Sequence, residues 1–388
     1  MVAMDSPNSK TFAADANSLR RMIFAPILIL WKTLRAWIFR FTLITACGVA
    51  AMALLIHSQA ESNLLCIFLA YLPAWVVVLP LLATLAAGFF FACWRSAAVS
   101  VVCASVIVLW LGGYSFSWGP RPQSADQALR VMTYNRGQGS EKVLTAFASV
   151  NQPDIAVFQD AGRRLVHLAA LPAFAHHQHT FQDGEFVVLS RWPLLENEPL
   201  QLHWPEAENK IWRAGTRSVI DWNGRRVVVY NLHFPTPRDL LYWYATRGTF
   251  LYGVLGAIPY TPLHARHQQY LAYWAAREDL AAQVAERARA ELDPVVLLGD
   301  LNVPPLGRGY ALIHGVLQDA HQAAGNGFGF TFPSNFKSIG RLFAPWIRID
   351  HVFASAQWEI LSCSSPSGGA SQHLPVAAVL KLNQTDKK

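Results

Sequence analysis

The stretch VVLLGDLNVPP, Val295 to Pro305, ends a run of aliphatic residues at a glycine and then sets Asp300 and Asn302 two positions apart before paired prolines. A short apolar run bounded by glycine reads as a core strand, and the prolines forbid its continuation. On extended chain, residues at i and i+2 share one side. A carboxylate and an amide side by side at a strand end suit a bound metal, water or phosphate; they equally suit a polar turn, where both residue types are favoured. The same arrangement recurs along the chain. Asn135 closes LRVMTYN, Asp160 closes DIAVFQD, His233 closes RSVIDWNGRRVVVYNLHF, Asp350 and His351 sit in IRIDHVFAS, and His373 stands at the mouth of a last strand behind a Gly/Ser loop, in GGASQHLPVAAVLKL. Core packing alone does not call for polar side chains at so many strand ends. Brought to one rim, they make a constellation.

The elements that must position these residues are short strands alternating with helical stretches and turns. WNGRR is a hairpin turn signal, and Ala265 to Leu292 reads as one long amphipathic helix. Strands joined by a hairpin favour an α/β sandwich over a repeated βαβ unit. No internal repeat is visible.

Upstream of about residue 120 the chain changes character. Trp37 to His57, Ile67 to Ala92 and Ala97 to Trp118 are apolar stretches near or above the length of about 20 residues needed to span a bilayer. Three in series, broken at HSQAESN and WRS, read as membrane helices. The resulting organisation is a cytoplasmic and interfacial segment over 1–36, which includes the short apolar run Met22 to Trp31, then a transmembrane region of about three helices over 37–118. A linker over 119–128, a globular domain over 129–382 and a tail over 383–388 follow. Lys10, Arg20, Arg21, Lys32, Arg35 and Arg40 precede or open the first span, whereas the first connecting loop carries Glu61 and no basic residue. The positive-inside rule then sets the N-terminus in the cytoplasm, and three crossings put the globular domain on the far side, in the periplasm of a bacterium.

The formal charge of +7 is shared between the two regions: residues 1–120 hold 7 basic and 3 acidic residues, leaving 25 and 22 downstream. That balance gives no concentrated basic footprint of the kind nucleic-acid binders carry, although a linear count does not exclude a basic groove. Four of the five cysteines lie in the apolar region, so Cys363 has no disulfide partner within the domain, and no thiolate metal site can form there.

VMTYN, FQD, VVLSRWP, NLHF, LLGDLN, FTFPS, RIDHVFAS and SQHLPV, in this order over roughly Leu129 to Leu382, resemble the endonuclease/exonuclease/phosphatase superfamily, the magnesium-dependent deoxyribonuclease-I-like fold. The resemblance implies a four-layer α/β sandwich, two mixed sheets packed face to face with helices outside, and hydrolysis of a phosphoester at one end. It makes Asn135 and Asp160 ligands of Mg²⁺, with Mn²⁺ as the substitute, consistent with the oxygen ligands such ions prefer. It makes His373 the catalytic histidine and Asp350 the carboxylate that orients it, since a carboxylate on one ring nitrogen fixes the tautomer and leaves the other to take a proton. It assigns His233 to general acid or phosphate donor, Asp300 to orienting or activating water, and Asn302 to donating hydrogen bonds to the phosphate. The sequence departs from the pattern twice. Asp160 stands where the family normally has Glu, one methylene longer, and Gln372 stands where it often has Asp, which puts a second metal in doubt.

Other features weigh less. His176, His177 and His179 form a loop cluster, Arg191 is a supporting position, and His351 packs rather than reacts. Asp239 to Leu263 is an apolar, aromatic insertion that reads either as a helix on the domain or as a segment lying on the bilayer. Two functions follow. One is a membrane-anchored, metal-dependent phosphoesterase acting on nucleic acid or phospholipid. The other is a membrane-tethered, catalytically degenerate binding domain, motivated by Asp160 and Gln372.

Overall fold

A computed structural model of the protein describes residues 9–59, 61–117, 127–137, 141–205, 208–236, 259–334, 344–368 and 372–383. The expected insertion Asp239 to Leu263 falls mostly outside the described residues. The chain divides into two compact units, residues 1–52 with 77–107, and residues 53–76 with 108–388.

The apolar region is helical. α1 runs over Ser9–Gln59 without interruption, so Met22 to Trp31 is part of one long helix rather than a separate interfacial element. The expected second span, Ile67 to Ala92, is not one helix. It is built as α2 (Leu64–Tyr71), α3 (Ala74–Val77) and α4 (Leu79–Phe90). Proline is the physical reason. Leu72, before Pro73, is extended at φ −81° and ψ 160°, as the residue before a proline tends to be, and Pro80 sits in the first turn of α4. The 12 residues of α4 make a helix of about 18 Å, short of a hydrocarbon core of about 30 Å. α5 follows over Trp94–Leu111. Among the described residues, two helices, Phe24–Gln59 and Trp94–Leu111, are long and apolar enough to cross a membrane, in place of the three expected.

The second unit carries two six-stranded mixed sheets. In the first, the order is β11 (Trp358–Ser364), β12 (Val376–Leu382), β1 (Ala128–Asn135), β2 (Ile155–Gln159), β4 (Phe186–Ser190), β3 (His179–Asp183). In the second it is β5 (Leu194–His203), β6 (Ile211–Trp222), β7 (Arg225–His233), β8 (Val295–Asp300), β10 (Asp350–Ala354), β9 (Gln318–Asp319). The pairs β1/β2 and β7/β8 are parallel and the rest antiparallel. The hairpin between β6 and β7 turns on Asn223 and Gly224, both at positive φ, as a two-residue loop of this type requires.

Period-two alternation sorts each strand between two cores. Val131, Val157 and Val188 face Val229, Val296, Leu298 and Val352 between the sheets. Met132, Tyr134 and Phe158 pack outward on α6 (Glu141–Asn151) and α7 (Leu165–Ala169), and Tyr230, Leu232 and Leu297 on α8 (Pro262–Ala290) and α9 (Arg308–His314). The result is the expected four-layer sandwich. A fully buried amide pair joins the sheets near the strand ends. Gln159 Nε2 donates to Asn231 Oδ1 at 2.7 Å, and Asn231 Nδ2 donates to the carbonyls of Phe158 and Val187 at 3.1 and 3.2 Å. Replacing Asn231 with Ala strips those groups of their side-chain partner. We expect a loss of about 1–3 kcal/mol of stability, read as a lower denaturant midpoint for the full chain in detergent.

Candidate active site

The aliphatic run of β8 stops at Gly299 because nothing larger fits. Its φ is 148°, and a Cβ there would lie 2.0 Å from the carbonyl oxygen of Leu232 on β7. This close approach sets three neighbouring strands abreast: His233 pairs in register with Asp300, and Asp300 with Asp350. Past the strand, Asn302 adopts the left-handed conformation at φ 52°, which Asn tolerates better than most residues. Its backbone N–H thereby turns back to donate to Asp300 Oδ1 at 2.9 Å.

Asp300, 1 % exposed, is the centre of the arrangement. Its Oδ2 accepts from Asn135 Nδ2 of the facing sheet at 2.8 Å and from Asn302 Nδ2 at 3.3 Å. His233 Nε2 lies 3.6 Å and His373 Nε2 3.7 Å from the same oxygen. His373 Nδ1 is 3.0 and 3.2 Å from the two oxygens of Asp350, whose backbone N–H is held by Thr331 Oγ1 at 3.2 Å. The Phe332 ring packs 4.8 Å from that imidazole, and Leu374 N donates to the Thr331 carbonyl at 2.9 Å, fixing the backbone beside it. On the other flank, His233 Nδ1 lies 3.0 Å from Glu185 Oε1. Local sequence pattern does not single out Glu185; its one signal is an acid directly after Gly184, at the entry to β4.

Asn135 Oδ1 and Asp160 Oδ2 look into the space left by the missing side chain of Gly137. An ideal Cβ there would lie 3.8 and 3.6 Å from them. Among the described residues neither oxygen accepts a hydrogen bond, and both are hard donors of the kind Mg²⁺ takes, so these two fit a divalent ion. Asp160 is exposed and left-handed, at φ 51°. Asp300, Asp350 and His373 form a second group whose ligand atoms lie within 4.8 Å of one another. There one imidazole nitrogen is already bonded to Asp350, and a histidine donor suits zinc better than Mg²⁺.

The electrostatics follow from burial and charge. Burial disfavours the His373 imidazolium, but the carboxylates of Asp350 and Asp300 outweigh it and push the pKa up to about 9. The same contest at His233, with Glu185 and Asp300 as the anions, also ends above the usual value. For Asp350, burial raises the pKa against the pull of His373.

The remaining sequence candidates are supports. His351 Nδ1 accepts from Arg348 Nη1 at 3.1 Å, which makes its Nε2 the donor to the Val303 carbonyl at 2.9 Å. Arg348 also bonds Asp319 at 2.6 Å. Arg191 bonds Asp154 at 3.0 Å, at the end of β2 remote from Asp160. His177 rests on the Phe174 carbonyl at 3.2 Å, and burial lowers its pKa to about 4. Among the described residues the loop histidines form no ligand group. The Asn302 amide is engaged inside the protein: its Nδ2 donates to the Phe234 carbonyl at 3.0 Å as well as to Asp300.

Residues 132–373 match the Endonuclease/Exonuclease/phosphatase family, and this stretch is more than half of the chain. The chain belongs to this family. Its members are generally hydrolases of phosphoester bonds. Solved structures with a similar fold include the endonuclease/exonuclease/phosphatase from Beutenbergia cavernae at 21 % identity (66 % of this chain, 72 % of that one, TM-score 0.46). The family protein from Bacteroides vulgatus is 17 % identical (66 % and 100 %, TM-score 0.48), and sphingomyelinase C from Streptomyces griseocarneus 19 % (66 % and 99 %, TM-score 0.41). No curated protein matches.

If the Asp350 carboxylate sustains the His373 imidazolium, Asp350→Asn removes an attractive charge and the pKa must fall. Histidine NMR titration of the metal-free full chain should put His373 near pH 9 in the wild type. In the variant it should move at least about one unit lower. An unchanged titration refutes the pairing.

Proposed function

We propose that this chain is a membrane-anchored, divalent-metal-dependent phosphoesterase in which a His/Asp pair activates water. The observation that carries it is the convergence on buried Asp300 of Asn135, Asn302, His233 and His373, with Asp350 on the far nitrogen of His373. In the neutral form of His373, Nδ1–H donates to Asp350 and Nε2 presents a lone pair to a water beside Asp300. Nε2 takes that proton as the water oxygen bonds to phosphorus, and the ester P–O bond breaks on the opposite side. His233, held in its acidic form by Glu185 and Asp300, gives its Nε2 proton to the leaving oxygen. Asn302 turns its longer hydrogen bond, the 3.3 Å one to Asp300, toward a phosphoryl oxygen. A Mg²⁺ or Mn²⁺ ion held by Asp160 and Asn135 would neutralise the phosphoryl oxygens and favour neutral imidazole at His373.

The substrate is a phosphoester of nucleic acid or phospholipid. The test is the full chain in detergent against bis(p-nitrophenyl) phosphate, single-stranded DNA and phospholipid vesicles, with Mg²⁺, Mn²⁺ or chelator. Hydrolysis should appear with metal and vanish with chelator. Asp300→Ala should nearly abolish it, and His373→Ala should cost roughly 10²-fold or more, the scale of a lost general base. Asp160→Glu should keep or improve metal use. A wild type inert on every substrate and ion, combined with activity in the Asp160→Glu, Gln372→Asp double variant, would instead establish a tethered, degenerate binding domain.

Anchoring is supported by the two long apolar helices, and the basic residues ahead of the first support a cytoplasmic N-terminus; a far-side domain takes a third crossing over α2 to α4. Glu61 and Ser115, just beyond the C-terminal ends of these helices, are bonded to Gly309 and Gly327. An alkaline-phosphatase-type reporter fused after residue 121 should be active and one after Arg95 inactive. The reverse pattern assigns the domain to the cytoplasm.

A further inference from the structure

The residues that precede the catalytic domain reach its centre. Tyr71, at the end of α2 and 6 % exposed, donates from its hydroxyl to the carbonyl of Asn302 at 2.8 Å. Arg277, on α8 and 1 % exposed, donates to the same carbonyl from Nη2 at 2.7 Å and to the Pro235 carbonyl from Nη1. Pro235 lies two residues past His233, as Asn302 lies two past Asp300. One guanidinium thus ties together the exits of the two strands that carry the reacting groups, and Tyr71 adds the second bond on the Asn302 side. Trp274 backs both: the Arg277 guanidinium lies 4.7 Å from its ring and the Tyr71 ring 5.5 Å. The segment bearing Tyr71 is fastened at two further points. Glu61 Oε2 accepts from Gly309 N at 2.7 Å, and Trp346 Nε1 donates to the Tyr71 carbonyl at 3.2 Å.

Asn302 is where such a clamp matters. It is a left-handed residue whose N–H and Nδ2 both bond the Asp300 carboxylate. With its carbonyl fixed by two donors, the peptide plane that follows it cannot rotate freely, and neither can the residue that aims the amide. We propose that Tyr71 is a positioning residue for phosphoester hydrolysis, acting with Arg277 through the Asn302 carbonyl to hold the Asn302 side chain in working register. This rests on the phosphoesterase reading above. Tyr71 lies outside residues 132–373, so the feature belongs to this chain's apolar region rather than to the stretch that matches the family. It makes that region part of the active site as well as an anchor.

The test is Tyr71→Phe in the full chain in detergent, assayed on bis(p-nitrophenyl) phosphate with Mg²⁺. Phe keeps the ring against Trp274 and leaves Arg277 on the carbonyl, so the thermal midpoint should hardly move. The expected result is a fall in kcat on the order of 10- to 100-fold with KM little changed, the scale of a small misplacement of reacting groups. In an Asn302→Ala background the same change should cost at most about twofold, because the side chain it positions is gone. Hydrogen exchange of peptides covering 297–303 should quicken in Tyr71→Phe while those of β1 stay as in the wild type. An active wild type with Tyr71→Phe at full kcat overturns the positioning role alone, as does an equal loss in both backgrounds. A wild type inert on every phosphoester removes the phosphoesterase reading, and the positioning role with it.

Discussion

Asp300 is a carboxylate with almost no access to water, and the site is organised around answering its charge. Burial of an ionised group without partners costs several kcal/mol, so the fold must deliver donors to it. It does so from both sheets. Asn135 comes from β1, Asn302 from the turn beyond β8, His233 from the neighbouring strand and His373 from the loop before β12. The hydrogen bond between Asn135 and Asp300 crosses from one sheet to the other, and the Gln159–Asn231 bond does the same beside it. These ties hold the two strand-end rims at the separation a shared site needs.

The register that makes this possible rests on two backbone features. Gly299 lets β8 approach β7 more closely than any side chain would permit, and the left-handed turn at Asn302 folds the chain back onto the carboxylate. Both conformations are uncommon for L-residues, and positions of this kind persist where surrounding structure over-determines them. Here the determinants are the Asn302 side chain on Phe234, and Tyr71 with Arg277 on its carbonyl. One buried hydroxyl, that of Tyr71, links the apolar region to the turn that carries Asn302.

The departures from the family pattern bear on the metal more than on the histidine. Asp160 is exposed and carries an arm one methylene shorter than Glu, so its carboxylate reaches less far toward Asn135 Oδ1 than Glu would. Gln372 contributes its carbonyl to Ser334 N at 2.8 Å, a structural role next to His373. The two histidines, by contrast, are each paired with their own carboxylate, Asp350 for His373 and Glu185 for His233.

The sequence alone determined the strands that carry the site, because buried strands are short apolar runs and their polar ends interrupt that pattern visibly. LRVMTYN, DIAVFQD, EFVVLSRWP, the Asn-Gly hairpin and PVVLLGDLN became β1, β2, β4, β6 with β7, and β8, and the chemistry-bearing types at their ends were legible. β3, β5, β9 and β11 were not. β5 buries only Leu200 and Leu202 of its ten residues, β9 is two residues long, and neither offers a hydrophobic period long enough to read. The second apolar stretch was legible as apolar, but Pro73 and Pro80 divided it into helices too short to count as one span. Only the tertiary structure decided which polar residue meets which. Glu185 against His233, Arg277 across two strand exits and Tyr71 on the Asn302 carbonyl are contacts between residues 25 to 231 positions apart, set by how the layers stack, and local sequence pattern carries no information at that range.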